Sequence, residues 1–332
     1  MKRATIEDVA ALAGVSRQTV SRAINNKGEI SKTTKEKVMA AVAELGYRPN
    51  RLAQGMVTQR TRTVGLVVPD ITNLFFPEVA RGVQDEGRLH DYNVLLCNTD
   101  DKPEEEIKTM YSLAAQRVDG IITMGSKATT KELTVFANTF RPIVFINRFF
   151  EHPHVSVINV DNFQGAHLAV SYLIKLGHRQ IGMLVNEDFT RSQVRRVQGY
   201  QKALQDHGLS VVDAYLVDGA PTLQGGYAAL SQLLSQFPQI TAVFTYNDLM
   251  ALGAIRAVHD LGKQVPADIA VMGFDDIGMA AMFTPSLSTV RVDKYAIGQL
   301  AMRRLLQMLD NPDTSSHTIN IDVDLVIRES TG

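Results

Sequence analysis

Apolar positions along the chain fall into two regimes. Up to about residue 47 they recur at helical spacing. Thr5 precedes Ile6-Glu7-Asp8-Val9, an N-cap followed by acids where the helix dipole favours them, and Val9, Ala10 and Ala13 continue the apolar face. Gly14 breaks this helix at a position that tolerates positive φ. Ser16 caps a second helix over about 17–24. Its Val20, Ala23 and Ile24 share one face, with Arg17, Gln18, Ser21, Arg22 and Asn25 on the other. A third helix covers about 33–45, with Val38, Val42 and Leu45 inward and Gly46 as its stop. Pro49 disfavours helix at Arg48, and Asn50 caps a brief helix over 51–57.

From Thr63 the period shortens. TVGLVVPD, NVLLCNTD, GIITMG and PIVFIN are β-branched apolar runs separated by stretches of helical length. QIGMLV, AYLVDG, AVFTYND and IAVMGFDD form a second such series, followed by STVRVD and an alternating strand, TINIDVDLVIRES. Strands alternating with helices predict βαβ units and parallel sheets, here as two doubly wound lobes. Ligands of such folds bind at the carboxyl ends of the strands. The expected fold class is therefore α/β: a helical N-terminal unit and a two-lobed core with parallel sheets.

Charge separates the same two regions. The net charge of −1 conceals 12 Lys/Arg against 5 Asp/Glu up to Arg62 (net +7) and 22 against 30 beyond it (net −8). A basic end on an acidic body predicts a polyanion-binding module joined to a body with another task. Two helices joined by a Gly turn, the second with an Arg/Gln/Ser/Arg/Asn face, describe a helix-turn-helix. Arg and Gln can read guanine and adenine edges in the major groove.

Other classes lose ground. Cys97 is the single cysteine, so neither a disulfide framework nor a thiolate metal cage is expected. The opening residues lack a signal-peptide apolar stretch, and no run of 18 residues is apolar throughout (the uncharged stretch 219–247 is broken by Gly, Pro, Gln, Ser and Thr), so a cytoplasmic protein without a membrane span is expected. There is no G-x-G-x-x-G after a strand, no phosphate loop, no G-x-S-x-G and no H-E-x-x-H, which disfavours a dehydrogenase or hydrolase. His152-Pro153-His154 reads as an exposed turn. The expectation is a non-enzyme with no cofactor and no metal.

TIEDVAALAGVSRQTVSRAIN followed by SKTTKEKVMAAVAELGYRPNRLAQGM resembles the DNA-binding headpiece of the LacI/GalR family of bacterial repressors. The resemblance continues through TVGLVVPDITNLFFPEVARGV, RVDGIITMG, LGHRQIGML, YNDLMALGAIRA, VPADIAVMGFDDI and FTPSLSTVR. It implies a headpiece over 1–49, a hinge and linker over 50–62, and a periplasmic-binding-protein-like (type I) core over 63–332. The N-lobe would comprise about 63–161 and 293–320, the C-lobe about 162–292 and 321–332. By the match, Arg17, Gln18 and Arg22 touch bases, and Thr5, Ser16, Thr19, Ser21 and Asn25 lie on the backbone or nearby. In the hinge, Asn50 caps, Ala53 is the small contact residue and Met56 is the apolar wedge that kinks DNA at the minor groove. The implied partners are palindromic double-stranded operator DNA, a second copy of the chain and a small effector. Tetrameric relatives carry a further C-terminal helix, so a dimer is the expectation.

For the effector, Asp275 matches the family's acid that accepts two ligand hydrogen bonds. Arg196 matches a ligand-holding arginine, with Arg195 beside it as the rival. Asn247 matches a polar contact, Asp248 is expected to cap the following helix, and Asn147 and Arg148 follow PIVFI at a strand end. Phe75 and Phe76, read as lying in the loop after the first strand, offer one core and one wall aromatic. This set suits polyhydroxyl ligands, and Arg148, Arg191, Arg195 and Arg196 leave room for an acidic or phosphorylated sugar. The principal reading is a sequence-specific repressor controlled by a sugar-like effector. The alternative is a global carbon catabolite regulator whose corepressor is a phosphorylated carrier protein. Arg303 matches one residue of the basic pair such a partner uses, but Gln307 stands where Lys is expected.

Overall fold

The computed structural model describes residues 4–24, 28, 30–47, 60–188, 190–311 and 316–332. It divides into two compact units, Met1–Thr61 and Arg62–Gly332.

In the first unit, α1 (Ile6–Ala13), α2 (Arg17–Ile24) and α3 (Lys32–Glu44) enclose a small core of Val9, Ala10, Val20, Ala23, Val38 and Ala41. Thr5 and Asp8 form a reciprocal capping box on α1. Gly14 ends that helix at φ 67°, with its N–H on the Ala10 carbonyl. The third helix is capped one position earlier than expected, by Ser31, whose hydroxyl accepts from Thr34 N.

The second unit contains two six-stranded sheets. The first has the order β11-β5-β4-β3-β1-β2, where β1 is Thr63–Val68, β2 Asn93–Asn98, β3 Gly120–Met124, β4 Ile143–Ile146, β5 Val155–Val160 and β11 Thr318–Ile321. All its pairings are parallel. The second has the order β12-β10-β9-β8-β6-β7, with β6 Ile181–Asn186, β7 Leu216–Gly219, β8 Ala242–Thr245, β9 Ala270–Asp275, β10 Ser288–Arg291 and β12 Asp324–Val326. Only the β10–β12 pairing is antiparallel.

Strand side chains alternate between faces, and in the central strands β1, β3, β4, β6, β8 and β9 both faces are covered, which explains their unbroken apolar runs. The edge strands β2, β11 and β12 are exposed or half-buried. Leu66, Ile122, Met183, Phe244 and Met272 enter a core shared by both lobes. Their neighbours Val67 and Ile121 enter a separate core of the first lobe, and Leu184, Val243 and Val271 one of the second. Three helix pairs complete the packing. They are α4 (Phe75–Leu89) with α11 (Lys294–Asp310), α7 (Asn162–Lys175) with α8 (Arg191–Asp206), and α9 (Leu223–Gln236) with α10 (Asp248–Asp260). Helices α5 (Pro103–Ala115) and α6 (Thr130–Thr139) lie in the first lobe.

The chain crosses between lobes after Val160, after Arg291 and after Ile321. The last crossing corrects the single alternating strand expected over 318–330. Thr318–Ile321 pairs with β5 and Asp324–Val326 with β10, so the segment contributes to both sheets and first-lobe pairing extends one residue beyond 320. Among the described residues, no helix is long and apolar enough to cross a membrane.

Candidate functional site

Helix α2 buries Val20 and Ala23 and leaves Arg17, Gln18 and Arg22 exposed. Ser16 holds its first turn, its Oγ accepting from Thr19 N at 3.1 Å and lying 2.9 Å from Thr19 Oγ1. Arg17 pairs with Glu7 at 3.0 Å, but both side chains are more than half exposed, so the pair adds little stability. Thr5 is engaged in its capping box, donating its hydroxyl to Asp8 Oδ2 at 2.8 Å. Ser21 is half-buried on the same helix. Asn25, Asn50, Ala53 and Met56 lie outside the described residues.

The second site is a cleft of about 1080 Å³ lined by residues at the carboxyl ends of strands from both lobes. That location follows from the doubly wound topology, where helices leave the strand ends in opposite directions and open a crevice. Phe75, Phe76, Asn147, Arg148, Arg196, Asn247 and Asp275 all line it. Phe75 and Phe76 are in the first turn of α4, not in a loop. Phe75 is buried, Phe76 half-buried, and the rings meet edge to face at 5.5 Å.

Arg196 and Asp275 form a buried pair, Nη2 to Oδ1 at 3.5 Å. Arg196 is further fixed by Nε donating to Asn162 Oδ1 at 2.8 Å, by Nη1 donating to the Tyr246 carbonyl, and by the Phe274 ring beneath it. Arg195 points elsewhere. Its guanidinium lies 4.9 Å from the Phe163 ring centroid and donates to Gln198, outside the cleft lining. Burial pushes the Asp275 carboxyl up to about 6, with Arg196 and Lys294 pulling in the opposite direction.

Asn147 has φ 58°, and its Oδ1 accepts from Val160 N at 2.9 Å, tying β4 to the end of β5. Arg148 reaches the Ala128 carbonyl at 2.8 Å. Asn247 is the cap of α10, accepting from Met250 N at 2.9 Å while Nδ2 donates to the Pro221 carbonyl at 3.2 Å. This corrects the expected cap at Asp248. That carboxylate is instead fully buried and accepts from Ile277 N and Thr289 Oγ1. Burial, then the nearby Asp275 charge, raises its pKa well above the usual carboxylate range.

Several lining residues escaped the sequence reading, among them Ser126, Lys127, Asn186, Asp188 and Tyr246. All lie at or just after strand ends, so the strand-end rule that finds Asn147 and Arg148 after PIVFI also points to most of them after GIITM and IGMLV. Lys294 was invisible. It is buried on α11 and donates Nζ to the carbonyls of Asp275 at 2.7 Å and Asp276 at 2.9 Å. Among the described residues no cluster of His, Cys, Asp and Glu is arranged to hold a metal.

One helix-turn-helix unit and one unit with a strand-end cleft are also what comparison with known proteins returns. Residues 5–50 match the model of bacterial regulatory proteins of the lacI family. Residues 61–329 match that of periplasmic binding proteins and the sugar binding domain of the LacI family. The chain belongs to the LacI family. Catabolite control protein A of Priestia megaterium is 34% identical over 328 residues, covering 98% of this chain and 99% of that protein. Among solved structures, the Lac repressor bound to ONPG superposes with TM-score 0.90 at 30% identity, covering 99% of this chain and all of that one. A complex of the transcriptional regulator CelR with cellobiose gives TM-score 0.75 at 32% identity, with the same coverage. Like its relatives in this family, the chain is a DNA-binding transcriptional regulator.

Proposed function

We propose that this regulator represses transcription as a homodimer on a palindromic operator in the cytoplasm, and that a sugar or sugar derivative bound in the inter-lobe cleft sets its operator affinity. The chain acts by binding and not by catalysis. Its working parts are a headpiece over 1–49, a hinge over 50–62 and an effector core over 63–332. Arg17, Gln18 and Arg22 read bases, and Ser16, Thr19 and Ser21 steady the backbone contacts.

One observation carries the effector reading. The buried Arg196–Asp275 pair, from α8 and the end of β9 in the second lobe, lines the same cleft as Phe75 and Phe76 of the first. A carboxylate and a guanidinium satisfy neighbouring hydroxyls, and an aromatic wall covers the apolar face of a sugar ring. The matching of the core to a sugar-binding domain supports the same ligand class.

A thermal-shift screen of sugars, followed by operator titration with each hit, tests this. A ligand at 100-fold its Kd raises stability by about 2.7 kcal/mol, and a true effector also changes operator affinity. Hits that never alter operator binding defeat the reading. Similarity to catabolite control protein A keeps a phosphorylated carrier protein as the second reading. Arg303, the residue that reading relies on, is paired with Glu86 at 2.8 Å. Pull-down with that carrier separates the two.

A further inference from the structure

Four basic side chains line the inter-lobe cleft, and their partners divide them into two kinds. Lys127 pairs with Asp101 at 2.5 Å and Asp188 at 3.0 Å, and Arg196 pairs with Asp275. Arg148 and Arg191 form no ion pair among the described residues. Arg148 donates Nη2 to the Ala128 carbonyl, while its Nε is buried with no hydrogen-bond partner. Arg191 is exposed, its guanidinium 4.7 Å from the Phe149 ring centroid.

These two arginines belong to opposite lobes. Arg148 follows β4 of the first, and Arg191 opens α8 of the second. Both line the cleft, and Arg191 lies over the ring of Phe149, the residue next to Arg148. Burial lowers the Arg148 pKa from its usual value, Glu106 opposes this, and the Arg191 charge lowers it further. Glu106 is itself occupied, its Oε2 accepting from the backbone N–H groups of Lys127 at 3.1 Å and Ala128 at 3.2 Å. The acids of the lining are engaged elsewhere, Asp101 and Asp188 by Lys127, Asp275 by Arg196, and Asp70 and Asp100 by Thr72 and Asn98, so these two guanidinium groups have no carboxylate partner among the described residues. The buried Ser126 Oγ, also in the lining, has no partner either.

A neutral sugar gives these groups hydrogen bonds but leaves the two like charges opposed whenever the lobes approach. An anionic group between them removes the repulsion and adds charge-assisted bonds to both lobes. The Arg196–Asp275 end of the cleft still suits hydroxyls. We propose that the effector is a polyhydroxylated anion, a sugar acid or sugar phosphate, whose carboxylate or phosphate bridges Arg148 and Arg191. This rests on the cleft being the effector site.

Calorimetry on the full-length protein tests it with gluconate, glucuronate, glucose 6-phosphate and fructose 6-phosphate against glucose, fructose and inorganic phosphate. At least one charged sugar should bind about tenfold or more tightly than its neutral parent, an advantage that shrinks as salt rises. Arg191→Gln, at an exposed position, should remove that advantage. Arg148→Lys, which keeps the charge but loses the fork, should reduce it. Carboxylates and phosphates binding unequally identify the source of the anion. Neutral sugars binding as tightly as charged ones, or a preference that survives Arg191→Gln, overturns the proposal and leaves the cleft assignment standing. Inorganic phosphate binding as tightly as any sugar phosphate removes the polyhydroxyl part. Silence from every sugar overturns the proposal together with the cleft assignment.

Discussion

Asp275 ends β9 with φ 115°, a backbone conformation that side chains rarely adopt and that persists only where surroundings impose it. Lys294 holds its carbonyl, and Asp276 next to it is pinned by Arg291 and Arg328, each at 2.7 Å. The side chain is left desolvated, with Arg196 at 3.5 Å as its one side-chain donor among the described residues. Its pKa rises from 3.8 to about 6, so between those values the folded protein holds a proton that the unfolded chain releases. Ionising Asp275 therefore costs stability as pH rises through that window, and hydroxyl donors from a ligand offset the cost. Effector binding should accordingly weaken below about pH 6, by about tenfold one unit below the pKa. Calorimetry across that range, with a ligand that does not itself titrate there, should show the loss in the wild type and a flat profile in Asp275→Asn. A pH-independent wild type would show that the carboxylate does not receive the ligand. Sequence pointed to this residue through its match to the family's acid at a strand end. It did not separate Arg196 from Arg195, since neighbours on a helix differ by about 100° in direction and only packing shows which is inside. It placed the helix cap on Asp248 when Asn247 takes it, because both are good caps and only burial beside Thr289 claims the second.

Elements were more legible than contacts between them. The three headpiece helices follow from caps and glycines, and the proposed base-reading role of α2 from a polar face opposite Val20 and Ala23. Arg22→Ala should cost about 1–3 kcal/mol of operator affinity and relax specificity at one position. Lys37→Ala, on α3, should weaken binding almost uniformly. Selection from a randomised operator library distinguishes these patterns, and an unchanged specificity profile in Arg22→Ala would remove α2 from the groove. In the core, unbroken β-branched runs predicted the central strands because both of their faces are covered. The alternation over 318–330 carried no mark of which sheet each half joins, since a period of 2 is identical in either lobe. Helix pairing was equally silent. At the crossing of α4 and α11, Gly82 meets Gly298, and a Cβ on Gly298 would sit 2.1 Å from the Val79 carbonyl oxygen. Gly298→Ala should therefore destabilise the core by about 1–3 kcal/mol or more in urea unfolding. Gly278→Ala, which meets nothing within 4 Å, should stay within about 0.5 kcal/mol of wild type.

Across the whole core, the two lobes are joined by three chain crossings, and their facing strand ends are also linked by Lys127. It lies after β3 of the first lobe, bonds Asp101 of the same lobe and reaches Asp188 of the second, 61 positions along the chain. No local pattern foretells such a contact, because the residues that make it are brought together only by the fold. The lysine side chain is 17% exposed, Asp101 34% and Asp188 52%, so solvent screens the bonds in part. The larger effect lies in what its removal leaves behind. Burial, opposed by the Lys127 hydrogen bond, raises the Asp101 pKa, and the Asp188 charge adds to the rise. Lys127→Met would leave two carboxylates facing each other across the cleft, and any ligand that closes the lobes would have to force them together. Effector affinity should fall by about threefold to tenfold, a coupling of about 1 kcal/mol, while operator binding without effector changes less. Adding Asp188→Asn to Lys127→Met should recover most of the loss, because one of the repelling charges is gone. Small-angle scattering of the unliganded single variant should show a wider core than wild type, narrowed again in the double variant. If Lys127→Met binds effector as the wild type does, or if Asp188→Asn deepens its defect, the lobes are held by their chain crossings alone and Lys127 is only a surface cation.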